Sequence, residues 1–259
     1  MSESKDLNAP ENNVEFSKER NTWRIKMAES KELREKAIQL TLMSNKFKYG
    51  YQFEWCGVPI IRHPDDIVLQ QEIVWNLRPT HIIETGVARG GSLVLSSTLM
   101  KLYGESGKVL GLDIKIYDHT IENLASWMVN DQIKIVECDS ASKTAEFQVQ
   151  EFLKDNKQPV LVVLDSNHTE SHVLNELKCF APLLPVGSIV IVADTIIEEM
   201  PQDYYSDRSW NVGNNPLTAV NKFLESNNNF IRDLRWSKRS LMGECRDGVI
   251  CKVSNKLNS

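Results

Sequence analysis

Short apolar runs alternate with amphipathic stretches along most of the chain. A continuous apolar run of about four to eight residues is typical of a strand buried on both faces of a sheet. Such a run predicts a strand at 160–164, and apolar stretches interrupted by polar residues predict further strands at 80–84, 108–113, 133–137, 187–193, 230–236 and 248–253. Helical spacing of apolar residues predicts helices at 92–103, 170–180 and 216–224. This alternation of strands and helices predicts a doubly wound α/β sheet.

Residues 1–78 differ from the rest in their pattern. Residues 1–20 are polar and charged, and we expect a flexible N-terminus there. Apolar positions at helical spacing predict amphipathic helices over 23–43 and 67–77. The division we expect is therefore a flexible segment 1–20, a helical and aromatic extension 21–78, and a cofactor-binding domain 79–259.

Two stretches are rich in aromatic residues. From Phe47 to Trp55 aromatic residues alternate with polar or small ones, which predicts a half-buried strand or an ordered loop. Core packing is the favoured role, because aromatic rings bury large areas wherever they occur, and a wall over a substrate site is the alternative. The irregular stretch 198–213 is expected to be a mobile loop that acts as a lid.

Composition narrows the class of protein. The chain has 259 residues, 41% of them hydrophobic and 25% charged, which suffices for one sizeable core. Its net charge of -5 disfavours a nucleic-acid partner. Five cysteines without a Cys-x-x-Cys pair favour reduced thiols and a cytoplasmic location. No apolar run is long enough for a membrane span, and we expect no signal peptide.

A glycine-rich loop follows the first predicted strand of the sheet. The strand ends at Glu84, and the candidate cofactor contacts in the loop are Gly86, Ala88, Arg89, Gly90, Gly91 and Ser92. The glycines allow positive φ and close approach of a ligand, and free N–H groups at the next helix can face polar ligand groups. The loop lacks the P-loop Lys-Ser/Thr and departs from the dinucleotide fingerprint. Its spacing resembles the first motif of S-adenosylmethionine-dependent methyltransferases, and a tight turn without a ligand is the alternative.

Acidic residues end the next two strands. Asp113 follows Gly86 by 27 positions, at a strand end where a carboxylate can accept hydrogen bonds from both hydroxyls of a ribose. Asp139 follows the third strand, where it either holds the base ring of a cofactor or caps the helix that follows. Both residues extend the predicted cofactor site beyond the glycine loop.

Two more aspartates, Asp165 and Asp194, end the fourth and fifth strands. We expect them to converge without a basic partner, so that each raises the pKa of the other unless a cation neutralises them. Oxygen ligands suit Mg²⁺, Mn²⁺ or Ca²⁺. His168 would lie in the loop above Asp165, either as a base that takes a proton from a metal-activated hydroxyl or as a cap of the following helix. His172, inside that helix, is predicted to be structural.

Four segments together resemble the cephalosporin hydroxylase-like family: Glu84–Ser92, Leu164–Thr169, Val192–Thr195 and Asn215–Val220. This family is similar to metal-dependent O-methyltransferases that modify sugar hydroxyls in macrolides and surface glycans. The resemblance covers 51–253. It implies a Rossmann-like class I methyltransferase sheet of seven strands with the last antiparallel, and S-adenosylmethionine as cofactor. It also implies Mg or Mn at Asp165 and Asp194, a catalytic base at His168, and a homo-oligomer, a dimer or tetramer, built partly by the N-terminal segment.

One position departs from that family. The family commonly has Glu-Asp where this chain has Ala193-Asp194, so one expected metal ligand is missing. Either a water or another side chain, such as Glu198 or Glu199, completes the ligand set, or the metal binds more weakly.

The leading hypothesis is methyl transfer from S-adenosylmethionine to a hydroxyl of a sugar, either a glycan precursor or a nucleotide-linked sugar. An oxygenase of the cephalosporin hydroxylase type is an alternative, although the sequence shows no two-His-one-carboxylate set for iron. A binding protein that keeps the fold without turnover is a further alternative, which the missing carboxylate at Ala193 favours. The aromatic stretches also suit a macrolide or phenolic acceptor.

Overall fold

The apolar runs form the strands of a twisted sheet in the computed structural model, which describes residues 13–104, 107–127, 132–237 and 239–255. The strands, in chain order, are β1 (Phe53–Trp55), β2 (Val58–Ile60), β3 (His81–Thr85), β4 (Lys108–Asp113), β5 (Ile133–Glu137), β6 (Leu161–Leu164), β7 (Ile189–Val192), β8 (Phe230–Arg232) and β9 (Val249–Lys252). The first two form a separate hairpin, and the other seven form one sheet.

Helices cover both faces of this sheet. They are α1 (Asn13–Glu29), α2 (Lys31–Asn45), α3 (Pro64–Leu77), α4 (Gly91–Lys101), α5 (Asp118–Leu124), α6 (Lys143–Leu153), α7 (Glu170–Phe180), α8 (Pro216–Ser226) and α9 (Leu234–Ser237). Within the described ranges, none of these helices is long and apolar enough to cross a membrane.

The order of strands explains where a ligand can bind. Across the sheet the order is β5-β4-β3-β6-β7-β9-β8. Strands β3 to β7 are parallel, whereas β9 is antiparallel to both neighbours, which confirms the predicted seven-stranded sheet with an antiparallel last strand. The order reverses between β3 and β6, and open α/β sheets bind ligands at such a switch point. Thr85 is in register with Leu164, so the residues that follow, Gly86 and Asp165, lie side by side.

Both faces of the sheet are buried, which is why its central strands are continuously apolar. On β6, Leu161 and Val163 belong to a hydrophobic cluster that includes side chains of α3 and α4. Val162 and Leu164 point the other way, into a cluster with α6, α7 and α8. Alternate residues of one strand therefore hold helices on opposite faces.

Two predicted elements differ from the structure. The strand predicted over 230–236 stops at Arg232, because Asp233 accepts a hydrogen bond from the backbone N–H of Arg235 (3.1 Å) and starts α9. The helix predicted over 23–43 is two helices, since Ser30 accepts a hydrogen bond from Leu33 N (3.3 Å) and caps α2. The remaining predicted strands and helices are confirmed, apart from small shifts at their ends.

The two N-terminal helices, α1 and α2, differ in how closely they pack against the rest of the protein. Helix α1 begins at Asn13, within the stretch predicted to be flexible, and none of its residues is buried. Residues 1–12 of that stretch lie outside the described residues. Helix α2 is anchored by Arg34, whose guanidinium donates hydrogen bonds to Glu199 at 2.5 and 2.7 Å.

The start of α3 fixes a distant loop. Asp65 accepts hydrogen bonds from the backbone N–H groups of residues 241–242, at 2.9 and 2.8 Å. The buried Asp66 accepts hydrogen bonds from those of Glu244 (2.7 Å) and Cys245 (3.2 Å). The two aspartates thereby hold the segment before β9 at the carboxyl edge of the sheet, although more than one hundred and seventy residues separate them along the chain.

Asp65→Ala is expected to lower the free energy of unfolding by about 1–3 kcal/mol, because two backbone N–H groups lose a charged acceptor. The control is Asp118→Ala, which removes an exposed aspartate from the first turn of α5 and should cost at most about 1 kcal/mol through the helix dipole. Denaturant unfolding of the three proteins measures both effects. Equal effects of the two substitutions would contradict the role of Asp65 in holding the loop.

Candidate functional site

The glycine loop turns sharply beside β6. Gly86 has a φ of 84°, and a Cβ at this position would lie 1.9 Å from the backbone oxygen of Asp165. Only glycine fits such a close approach. Gly90 starts α4 in a left-handed conformation without a capping side chain. The first residues of that helix, Gly91 and Ser92, line a cavity in front of the loop together with Gly86 to Gly90.

Two predicted cofactor contacts hold this loop in place and do not line the cavity. Asp113 Oδ2 accepts hydrogen bonds from the backbone N–H groups of Val87 (2.8 Å) and Ala88 (3.2 Å). Glu84 is fully buried and accepts a hydrogen bond from the hydroxyl of Ser92. Its other oxygen, Oε2, has no hydrogen-bond partner among the described residues.

A buried cation, Arg62, lies beneath the loop. Its Nη2 is 3.6 Å from Glu84 Oε1 and 3.3 Å from Asp165 Oδ2, and its Nη1 donates to Gln70. Burial disfavours the charged guanidinium, but the charges of Glu84 and Asp165 outweigh it and raise the pKa of Arg62. The expectation that the strand-end aspartates lack a basic partner is therefore wrong for Asp165. The reason is that Arg62 comes from the segment between β2 and α3, far away in sequence.

Asp165, His168 and Asp194 converge where β6 and β7 end. Their ligand atoms all lie within 4.8 Å of one another, and His168 Nδ1 is 3.5 Å from Asp194 Oδ2. Asp194 has a φ of 56°, a strained conformation that tends to occur at functional sites. Burial raises the pKa of Asp165; Arg62 opposes this shift, and the charge of Asp194 adds to it. We call these three residues the acidic-histidine cluster.

Two cavities meet at this cluster. The donor-side cavity, of about 230 Å³, is lined by the glycine loop. The aromatic-side cavity, of about 370 Å³, is lined by Tyr204, Tyr205 and Trp210. The residues that line both cavities are Tyr51, Ile61, His168, Asp194 and Glu244. This arrangement suits a reaction between two molecules that are held in separate cavities and meet at the cluster.

Glu244 brings a further carboxylate to this junction. Its side chain is 27% exposed, and Oε1 lies 3.7 Å from His63 Nε2. Burial, with the charges of Asp194 and Asp66, raises the pKa of Glu244 well above its usual range. The site therefore holds one more carboxyl group than the sequence indicated.

The aromatic stretches divide between core and cavity. Phe53 and Trp55 pack against the core, which is the role that the sequence favoured for this stretch. Tyr51 instead lines both cavities. In the stretch 198–213, Trp210 packs edge-on against His168, with ring centroids 4.9 Å apart. That stretch closes one side of the aromatic-side cavity, and its role as a mobile lid stays a prediction.

The two glutamates considered as replacements for the missing ligand are occupied elsewhere. Glu199 pairs with Arg34 at 2.5 Å and with Arg246 at 3.1 Å. Glu198 accepts hydrogen bonds from the backbone N–H of Gly213 (2.8 Å) and from the side chain of Asn215. Neither carboxylate belongs to the acidic-histidine cluster.

Neither Asp139 nor His168 caps a helix through its side chain. Helix α6 is capped by Ser142, while Asp139 accepts a hydrogen bond from Ala141 N (2.9 Å) in a tight turn. Helix α7 begins after Thr169, so His168 is free of that role. His172, as predicted, is structural: its Nε2 lies 3.0 Å from Ser140 Oγ in a polar network beside the sheet.

Sequence reasoning missed two residues of the site, Arg62 and Glu244. The available sequence signal for Arg62 was the pair of basic residues Arg62-His63 directly after the apolar pair Ile60-Ile61. No local pattern marks Glu244, because the hydrogen bonds that position it come from the start of α3.

Comparison with known proteins identifies relatives of this arrangement. Residues 47–253 match the family model described as Rhamnosyl O-methyltransferase/CmcI. The rhamnosyl O-methyltransferase of Mycobacterium leprae is 29% identical over 147 residues, which is 57% of this chain and 62% of the relative. That of Mycobacterium tuberculosis is 30% identical over the same length, 58% of the relative. The matched region thus spans about three fifths of these relatives.

A solved structure of CmcI with Mg and S-adenosylmethionine has a similar fold, with a TM-score of 0.54 and 22% sequence identity. The match covers 79% of this chain and 78% of that one. Since the family model matches most of the chain, from the aromatic stretch to the last strand, the protein belongs to the rhamnosyl O-methyltransferase/CmcI family.

Proposed function

We propose that this protein transfers a methyl group from S-adenosylmethionine to a hydroxyl of a sugar, with the help of a divalent cation. One observation carries the proposal: the donor-side and aromatic-side cavities meet at the acidic-histidine cluster. The description of the family and the CmcI structure with Mg and S-adenosylmethionine support the same assignment.

The donor side suits S-adenosylmethionine. Glu84 Oε2 is a buried oxygen with no partner in the described part of the chain, and it lies behind the glycine loop. It would accept a hydrogen bond from the amino group of the cofactor if the glycine loop moves so that this group can reach it. Asp113 already accepts three backbone hydrogen bonds, from Val87, Ala88 and Lys115, so its Oδ1 keeps one lone pair for a ribose hydroxyl. Asp139, at the end of the neighbouring strand, would lie near the base.

The acceptor side suits a divalent cation. The carboxylate oxygens of Asp165 and Asp194 are ligands of the kind that Mg²⁺ prefers. Their ligand atoms lie within 4.8 Å of each other, close enough that one ion could contact both. Asp165 and Asp194 would hold the ion, and His168 would act as the base. A bound divalent ion would lower the pKa of the acceptor hydroxyl.

The residues of the cluster then have separate tasks. The acceptor oxygen forms a bond to the methyl carbon while the bond between that carbon and the cofactor sulfur breaks, which yields a methyl ether and a neutral thioether. The proton of the hydroxyl passes to His168. Asp194, 3.5 Å from Nδ1, stabilises the positively charged ring that results. Tyr51 and Trp210 exclude water and orient the acceptor.

Calorimetric titration tests the donor. S-adenosylmethionine is expected to bind with a Kd in the micromolar to millimolar range usual for enzyme substrates, roughly 1 μM to 1 mM, and NAD is not expected to bind. Glu84→Gln should weaken that binding by about 10- to 100-fold, because a charged hydrogen bond is lost. Binding of NAD without binding of S-adenosylmethionine would refute the proposal.

The acceptor we propose is a sugar or glycoside, such as a glycan precursor or a nucleotide-linked sugar. The name rhamnosyl O-methyltransferase of the curated relatives supports a sugar acceptor. The aromatic-side cavity also supports it, because aromatic rings pack well on the apolar face of a sugar ring. The five cysteines are unpaired, which fits the proposed cytoplasmic location.

We also propose a homo-oligomer, a dimer or tetramer, that uses the N-terminal helices. Helix α1 buries no residue, and its exposed side chains include Val14, Trp23 and Ile25. Apolar side chains along one unburied helix are typical of an interface between subunits.

The oxygenase alternative is less well supported. Iron oxygenases commonly use two histidines and one carboxylate. Within the described ranges, the group of side chains able to hold a metal contains two carboxylates and one histidine.

A further inference from the structure

We infer that Glu244 supplies the third carboxylate of the cation site, in the place that Ala193 leaves without a ligand. The inference rests on the proposed function, because it assumes a divalent cation at Asp165 and Asp194. It identifies a residue in a loop before β9, outside the strand ends that form the rest of the site.

The backbone of Glu244 is hydrogen-bonded to the segment that follows Asp194. The Glu244 carbonyl accepts a hydrogen bond from the backbone N–H of Ile196 (3.1 Å), and the hydroxyl of Thr195, which donates to the nearer Arg246 carbonyl, lies 3.1 Å away. On the other side, Asp66 accepts a hydrogen bond from Glu244 N at 2.7 Å. Glu244 is therefore fixed next to the end of β7, the same strand end that carries Ala193 and Asp194.

The side chain of Glu244 faces the cluster and is short of partners. It lines both cavities together with His168 and Asp194. Among the described residues its carboxylate accepts no hydrogen bond within 3.5 Å, and its nearest cationic candidate is His63 at 3.7 Å. His63 Nδ1 lies 2.7 Å from the carbonyl of Met242, which can only accept, so this nitrogen carries the proton. A hydrogen bond from Nε2 to Glu244 would need a second proton on the ring.

Carboxyl groups outnumber basic groups at this junction. Glu84 and Asp165 lie 3.6 and 3.3 Å from the guanidinium of Arg62. Asp194 and Glu244 instead lie 3.5 and 3.7 Å from histidine nitrogens. Carboxylates that are partly buried and unpaired are costly, and a divalent ion compensates two of these charges. Glu244 lies outside the group whose ligand atoms are within 4.8 Å of one another. Its side chain would therefore have to rotate toward Asp194 to provide the ligand, from a backbone already held beside the end of β7.

The test is calorimetric titration of Mn²⁺ into the purified full-length protein in the presence of S-adenosylhomocysteine. Glu244→Gln is expected to weaken Mn²⁺ binding by about 10- to 100-fold, as loss of groups around a metal site commonly does. The matched control, Glu225→Gln on the exposed face of α8, should bind Mn²⁺ like the wild type. The double variant Glu244→Gln/Ala193→Glu should recover most of the lost affinity.

A second readout separates ligation from a structural role. Without Mn²⁺, Glu244→Gln should melt at the wild-type temperature or above it, because the amide replaces a carboxyl group whose charged form burial and neighbouring carboxylates disfavour. With Mn²⁺, its melting temperature should rise less than that of the wild type. Mn²⁺ binding of Glu244→Gln that equals the wild type would overturn the inference and leave the proposed function standing. A wild-type protein that binds the cofactor product but no Mn²⁺ would overturn both the inference and the cation in the proposed function.

Discussion

Removal of divalent cations is expected to abolish methyl transfer while it leaves S-adenosylmethionine binding nearly unchanged. The physical reason is that the proposed donor contacts come from the glycine loop and the ends of β3 to β5. The proposed ligands of the ion, Asp165 and Asp194, lie instead at the ends of β6 and β7, where the two cavities meet. Chelation therefore removes the activation of the acceptor hydroxyl and leaves the proposed donor contacts in place. The measurement is turnover with and without exhaustive chelation, alongside calorimetry with the donor.

Asp165→Asn and Asp194→Asn should each behave like chelation, because an amide carries no charge to hold the ion. The matched control is Asp155→Asn, at an exposed position after α6, which should keep full turnover. Melting curves show whether the Asp165 variant, which also loses its pairing with Arg62, remains folded. Activity that survives chelation would mean that the aspartates contact the substrate directly or are structural.

His168→Ala is expected to reduce turnover by roughly 10²- to 10⁴-fold, the usual contribution of a positioned general base. Binding of donor and of Mn²⁺ should persist, because Asp165 and Asp194 remain. His119→Ala serves as the control, since His119 stacks on Tyr117 and lies outside both cavities. Near-normal turnover of His168→Ala at neutral pH would rule out its role as the base. Loss of Mn²⁺ binding would instead make His168 a metal ligand.

The sheet was predictable from the sequence because its strands are apolar on both faces. The continuous apolar run from Val160 to Leu164 is typical of a strand buried on both faces. The end of this strand places Asp165 at the ligand-binding edge. The cluster of Asp165, His168 and Asp194 followed from the same topology, because parallel strands deliver their carboxyl ends to one edge.

The rest of the site depends on contacts that no local pattern encodes. Arg62 reaches Asp165 from the segment after β2, and Asp66 positions Glu244 across the molecule. The end of β8 is another case, since a hydrogen bond that Asp233 accepts from Arg235 N starts a turn of helix where the sequence predicted a strand. Such effects arise from single polar contacts, to which hydrophobic periodicity is insensitive.

The most direct test of the account is transfer of an isotope-labelled methyl group. The protein would be incubated with labelled S-adenosylmethionine, Mg²⁺, and either simple rhamnosides or the carbohydrate fraction of its native host, and the products analysed by mass spectrometry. The account predicts a labelled methyl ether on a sugar hydroxyl, which is absent from reactions with His168→Ala. Donor binding without a labelled sugar in either acceptor set would contradict it and would favour a binding protein that has kept the fold.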